Sequence, residues 1–296
     1  MEINKILVPS DFSEPANKAV DQAVYLAAEH GAQITILHAR VMYADNPEKL
    51  PELEAREIER ENELLAKLKD DTSRHADINI QHQVIRGFSV HSALLSYINN
   101  NEYDLIVMGT HGRSGITHFL LGSVAEKVVR YAPYPVITVP PDSRVADKYH
   151  KIVIPYDFSE HARLSLEKAP FFAAAPDSEI DVLYVVEDKY EPLLDGFDQQ
   201  SIYDSIPFIK EKAKEKLEET LAAIPNRNQI TYNFTVKSGT PHKEIAEYVK
   251  ETEADLVIMS THGLVGIDRF ILGSTTERVI RSVNAQILSL KLKKVI

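Results

Sequence analysis

Gly109 and Gly112 stand three residues apart, nine residues follow, and Gly122 then precedes Ser123. Glycine, serine and a neighbouring cation, Arg113, suit the holding of an anion better than covalent chemistry. Glycine permits positive φ and lets backbone N–H groups approach a ligand closely. A helix opening at Gly122 would offer the unpaired amides of its first turn, including Val124, and the positive end of its dipole. The Ser123 hydroxyl could cap that helix or donate to a phosphate oxygen. Together these groups fit a di- or triphosphate. The stretch is not a P-loop, because no lysine precedes Ser123, and it is not a dinucleotide fingerprint following a first strand.

The pattern recurs. "GTHGRSGITHFLLGSVAEKVV" (Gly109–Val129) overlays "STHGLVGIDRFILGSTTERVI" (Ser260–Ile280) without a gap, with 11 of 21 positions identical. Ordinary residue frequencies give roughly one or two. "KILVPSDFSE" at Lys5–Glu14 likewise matches "KIVIPYDFSE" at Lys151–Glu160, and "YDLIVM" before Gly109 matches "ADLVIM" before Ser260. The 296-residue chain therefore reads as two copies of one domain, 1–141 and 148–296, joined near the polar, proline-led "PPDSRVADKYH".

Each copy alternates strand and helix patterns. In the first, "KILVP", "QITILHA", "INIQHQVI", "DLIVM" and "PVITV" read as strands. Helices are expected over Glu14–His30, Glu48–Lys69, Ser89–Asn99 and Ser123–Tyr131. Such alternation implies an α/β fold, a parallel doubly wound sheet with helices on both faces. "PSDFS" and "GTHG" then fall at carboxyl ends of strands one and four. Ligands bind at that edge, where the strand order reverses. The fifth strands, "PVITVP" and "AQILSL", are apolar edges, which are aggregation hazards unless paired. They are expected to pair with one another in an intramolecular pseudo-dimer.

On these residues the chain resembles a tandem universal stress protein. The resemblance covers nearly all of both copies. It implies two five-stranded parallel sheets of order 3-2-1-4-5, like the adenine nucleotide alpha hydrolases, with ATP, ADP or AMP as ligand. By the resemblance, Asp11, in the Pro9–Ser10–Asp11 turn, lies near ribose or adenine, and the backbone of Ala39 meets the adenine. Met108, Gly109, Gly112, Arg113, Gly122, Ser123 and Val124 complete that site. The corresponding residues of the second copy are Pro155, Asp157, Val185, Gly263, Gly273, Ser274 and Thr275. There Ser260 replaces Gly109 and Leu264 replaces Arg113, so the first copy is expected to bind more strongly.

Other chemistry is less well supported. There are no cysteines, which excludes disulfides and thiolate zinc sites. Of His38, His91, His111 and His118, only His91 and His111 recur, as His242 and His262, and no pair has ligand spacing with a carboxylate. No metal site is expected beyond magnesium carried in on phosphates. Asp11 and Asp157 are candidate bases, but no nucleophile–base–orienter set is legible. A slow ATPase or self-phosphorylating enzyme, and a ligand-free interaction scaffold, stay open beside the nucleotide-binding regulatory module.

The net charge of −11 disfavours non-specific nucleic-acid binding. No apolar run of eighteen residues suggests a membrane span, and the N-terminus lacks a signal pattern, so the cytoplasm is expected. A homodimer and a protein partner remain open. The charged stretch Pro47–Asp71 reads as a solvated helix face, and Glu191–Phe208 as an inserted loop that could lid the second site.

Overall fold

A computed structural model describes residues 2–41, 51–110, 121–146, 148–173, 177–187, 199–224, 230–261 and 272–291. Side chains are described from residue 55 in one long helix and from residue 211 in another.

The first copy runs β1 (Lys5–Pro9), α1 (Glu14–His30), β2 (Gln33–Val41), α2 (Pro51–Ser73), β3 (Ile80–Gly87), α3 (Val90–Asn99), β4 (Leu105–Gly109), α4 (Ser123–Tyr131) and β5 (Val136–Val139). The second runs β6 (Lys151–Pro155), α5 (Glu160–Phe172), β7 (Glu179–Glu187), α6 (Gln199–Ala222), β8 (Thr231–Gly239), α7 (Pro241–Glu251), β9 (Leu256–Ser260), α8 (Ser274–Ser282) and β10 (Gln286–Leu290). The first copy pairs its strands in the order β3-β2-β1-β4-β5, all parallel. The second repeats the order as β8-β7-β6-β9, also parallel.

The chain divides into two compact units, and the division does not follow the duplication. Residues 284–296 group with 1–147, and residues 148–283 form the other unit. Within the first unit β10 lies antiparallel beside β5, with Ile287 opposite Thr138 and Ser289 opposite Val136. The expected pairing of the two fifth strands is present. Thr138 and all five residues of β10 are buried, so neither strand is left as an apolar edge.

Local chemistry sets the helix ends that matter for the site. Ser13 caps α1 by accepting from the Ala16 N–H, Pro15 sits in its first turn, and Gly31 ends it at φ 67° with its N–H on the Ala27 carbonyl. Ala16, Ala19, Ala23 and Ala27 are buried on one face, so α1 packs close to the sheet. Ser159 caps α5 in the same way, from Ala162. At the far end of α4, the Lys291 ammonium donates to the carbonyls of Arg130 (2.8 Å) and Ala132 (2.6 Å). That places a cation where the helix dipole is negative, while burial pushes the ammonium down to about 8.

The joining segment is not a loose tether. Ala146 is buried; its N–H donates to Gln22 Oε1 (2.9 Å) and its carbonyl accepts from Gln22 Nε2 (3.2 Å). The expected Glu191–Phe208 loop is also corrected in part. Residues 199–208 are the first turns of α6, and the earlier ones lie outside the described residues. Ile202, Ile206, Ile209, Ala213 and Leu217 continue one helical spacing through Pro207.

Candidate nucleotide site

The turn after β1 is built by its own side chains. Asp11 Oδ1 accepts from the Ser13 N–H (3.1 Å) and the Ser13 hydroxyl (2.5 Å), and Ser10 Oγ accepts from the Phe12 N–H (3.2 Å). Between them Phe12 adopts φ 64°, and its counterpart Phe158 adopts φ 61°. An aromatic residue in the left-handed region costs about 1–3 kcal/mol and persists only where its surroundings over-determine it. Here the strain puts the Phe12 ring 4.5 Å from the His38 ring.

β2 holds the other side of this turn. The Ser10 N–H donates to the Leu37 carbonyl (2.9 Å), and His38 Nδ1 lies 2.9 Å from the Ser10 carbonyl. A carbonyl only accepts, so Nδ1 carries the proton. His38 Nε2 is buried, makes no hydrogen bond and faces Glu61 Oε1 at 3.6 Å. Glu61 pairs instead with Arg40, Nε to Oε2 at 2.6 Å, and Arg40 also donates to Asn62 Oδ1 at 3.2 Å. This pair fastens α2 over the end of β2.

β4 and α4 supply the third wall. The Thr110 N–H donates to the Val139 carbonyl (3.1 Å), and the Gly122 N–H returns to the Thr110 carbonyl (2.7 Å). That bond sets where α4 begins. Gly122 is the N-cap, at φ −58° and ψ 143°, with no side-chain cap. The amides of Ser123, Val124 and Ala125 follow in the first turn, where they lack intrahelical acceptors. Two sequence expectations change here. Ser123 is the first helical residue rather than the cap. Gly109 has no positive φ; a Cβ there would lie 2.8 Å from the Pro15 carbonyl carbon and 2.9 Å from its oxygen. The glycine is needed because β4 passes close to the backbone of α1.

The three walls enclose one cavity of about 370 Å³. Pro9, Ser10, Asp11, Ala39, Met108, Gly109, Gly122, Ser123 and Val124 all line it. Gly112 and Arg113 lie outside the described residues. Sequence reading missed Arg40, Glu57, Ile58 and Glu61, which also line it. Arg40 follows Ala39 directly and was within reach of the reading. The α2 residues were not, because nothing in the sequence sets how that helix is rotated over the sheet.

The chain matches the model of the universal stress protein family over residues 2–140 and again over 148–291. It belongs to that family. Universal stress protein MJ0531 of Methanocaldococcus jannaschii is 31% identical over 149 residues, 49% of this chain and 84% of that protein. A universal stress protein of Mycolicibacterium smegmatis is 25% identical over 297 residues, covering 96% of this chain and 95% of its own. The crystal structure of a universal stress protein from Archaeoglobus fulgidus shares the fold, with TM-score 0.68, 24% identity, and coverage of 98% and 99%.

In the second universal stress protein repeat, Pro155 ends β6 and Asp157 follows it, Val185 lies on β7, and Gly273, Ser274 and Thr275 open α8. The turn chemistry is kept: Asp157 Oδ1 accepts from the Ser159 N–H at 3.0 Å, and the Gly273 N–H donates to Thr261 at 2.8 Å. Gly273 is again the N-cap. Gly263 lies outside the described residues. The side chains around the turn differ, with Tyr156 for Ser10, Tyr184 for His38 and Val186 for Arg40.

Among the described residues of this universal stress protein, no group of three or more His, Asp or Glu is placed to hold a metal. His91 Nε2 lies 3.0 Å from Lys127 Nζ, and His111 and His118 are outside the described residues. No described helix is long and apolar enough to cross a membrane.

Proposed function

We propose that the first repeat binds an adenine nucleotide, ATP or its di- or monophosphate, and that the chain acts as a nucleotide-dependent regulatory module. The observation that carries this is the single cavity joining the Pro9–Asp11 turn, the end of β2 at Ala39 and the first turn of α4. Its volume lies within the range of small-molecule sites. One end supplies backbone amides and a helix N-terminus for phosphates. Leu37, Ile58 and Leu94 also line the cavity and would pack against a base, and Asp11 would meet ribose hydroxyls. Magnesium enters with the phosphates and needs no protein cluster of its own. The first repeat is the stronger site, because Arg40 and Ser10 line it where Val186 and Tyr156 stand in the second.

Calorimetry with ATP and magnesium tests the reading. The parent chain binds, and Gly122→Val, which pushes a branched side chain into the phosphate end, lowers the affinity at least tenfold. Binding unchanged in Gly122→Val removes the phosphate assignment, and no binding by the parent removes the proposal. ATP incubated for hours with the chain and recovered unconverted separates a binding module from a slow ATPase.

A further inference from the structure

The two repeats begin their sites alike. The Ser10 N–H donates to the Leu37 carbonyl and the Tyr156 N–H to the Leu183 carbonyl, both at 2.9 Å, so the two side chains leave from matching backbone. From there they diverge. Ser10 stops at the cavity wall, its hydroxyl turned back to Phe12. Tyr156 runs on towards α6, the counterpart of α2, where its phenol comes near the Thr220 side chain. It is only 5% exposed. Its ring meets Phe158 edge-on at 4.9 Å, Phe158 meets Tyr184 at 5.1 Å, and Lys216 of α6 stands 5.0 Å over the Phe158 ring. Edge-to-face rings and a cation on the outer face form a closed stack with mutual attraction. In the first repeat the Phe12–His38 contact stands where Phe158 and Tyr184 pair, and Ser10 leaves to the cavity the ground that Tyr156 fills.

We infer that the base end of the second repeat's site is occupied by the chain's own Tyr156–Phe158–Tyr184 stack, so that the protein holds one nucleotide rather than two. The inference rests on the proposed function of the first repeat. It differs from a mere weakening at the phosphate end, through Ser260 and Leu264. The phosphate end of the second repeat keeps its Gly273 cap, whereas a purine finds no room.

Equilibrium dialysis with labelled ATP and magnesium counts the sites in five full-length proteins. The parent is expected to bind one ATP, Gly122→Val none, Tyr156→Ser/Tyr184→His two, and the combination of all three substitutions one. Tyr156→Phe, which keeps the ring, stays at one. Two sites in the parent overturn the inference, as does a folded Tyr156→Ser/Tyr184→His that gains none. Hydrogen exchange on the parent gives a reading that does not depend on the variants. ATP should protect amides at Ser123–Ala125, and protection at Ser274–Thr276 overturns the inference. If the parent binds nothing, the function proposed for the first repeat has failed. The stack is then judged alone, supported by a site gained in Tyr156→Ser/Tyr184→His and refuted by none.

Discussion

The Gln286 carboxamide donates to that of Gln22 across 2.6 Å, joining residues 264 apart in sequence. Both side chains are fully buried. Gln286 Nε2 also donates to the Arg144 carbonyl at 3.0 Å, and Gln22 pairs both ways with the backbone of Ala146. One cluster therefore ties α1, the joining segment and β10 into the first unit. Gln22→Leu should strand the Ala146 N–H and carbonyl in an apolar site. Each buried group left without a partner costs about 1–3 kcal/mol. Urea unfolding should show a loss of that size, and a midpoint unchanged from the parent would mean that the cluster is incidental.

Gly109 faces the backbone of Pro15, which cannot rotate away as a side chain can. Gly109→Ala should therefore separate β4 from α1 and destabilise the first unit by about 1–3 kcal/mol, as overpacking commonly does. Ser260→Gly, at the matching position of β9, relieves no such contact and should leave the melting temperature within about a degree or two of the parent's. Equal effects at the two positions would point back to backbone conformation as the reason for the glycine.

Much of this arrangement was legible because it is local. Ser13, Pro15 and Gly31 bound α1 at Glu14 and His30 by capping chemistry alone, and Gly122 does the same for the start of α4. The strand–helix alternation placed both motifs on one sheet edge. What was not legible depends on tertiary packing. The rotation of α2 decides that Glu57 and Glu61 line the cavity, and a charged helix carries no strong apolar stripe to reveal it. The grouping of β10 with the first unit is hidden for a different reason: β5 and β10 have equivalent patterns, and pattern does not say which unit buries a strand. Tyr156 reads as one conservative-looking change in a kept turn until its ring is seen to reach α6.

The Arg40–Glu61 pair is mostly buried, at 14% and 18% side-chain exposure, and its short contact makes it stronger than a typical surface pair. Arg40→Ala should release the stretch of α2 around Glu61. Hydrogen exchange there should then rise while that of α1 stays as in the parent. A double-mutant cycle with Glu61→Gln should give a coupling of about 1 kcal/mol. Additive single effects would show that the pair does not fasten the helix.

In the second unit Asp181 is a buried carboxylate with every lone pair engaged. Lys151 Nζ reaches both of its oxygens (3.1 and 3.0 Å), Asn233 Nδ2 donates to Oδ1 (2.8 Å) and the Tyr248 phenol donates to Oδ2 (3.0 Å). Burial alone would lower Lys151, but its hydrogen bonds to Glu179 and Asp181 outweigh that and raise it above the usual 10.5. Tyr248 is raised above 10.0, first by burial and then by the charge of Asp181. Both groups keep their protons in the fold at a pH where the unfolded chain releases them. Their stabilisation is therefore complete below about pH 10 and is lost as pH climbs through the raised values. Asp181→Ala should cost about 1–3 kcal/mol at neutral pH, because the Asn233 and Tyr248 donors lose their buried acceptor while Lys151 keeps Glu179. Asp181→Asn should cost less, and its deficit relative to the parent should shrink between pH 9.5 and pH 11. Urea unfolding at pH 8, 9.5 and 11 measures this directly, and a deficit that stays constant across that range would place the network's contribution in packing rather than in charge.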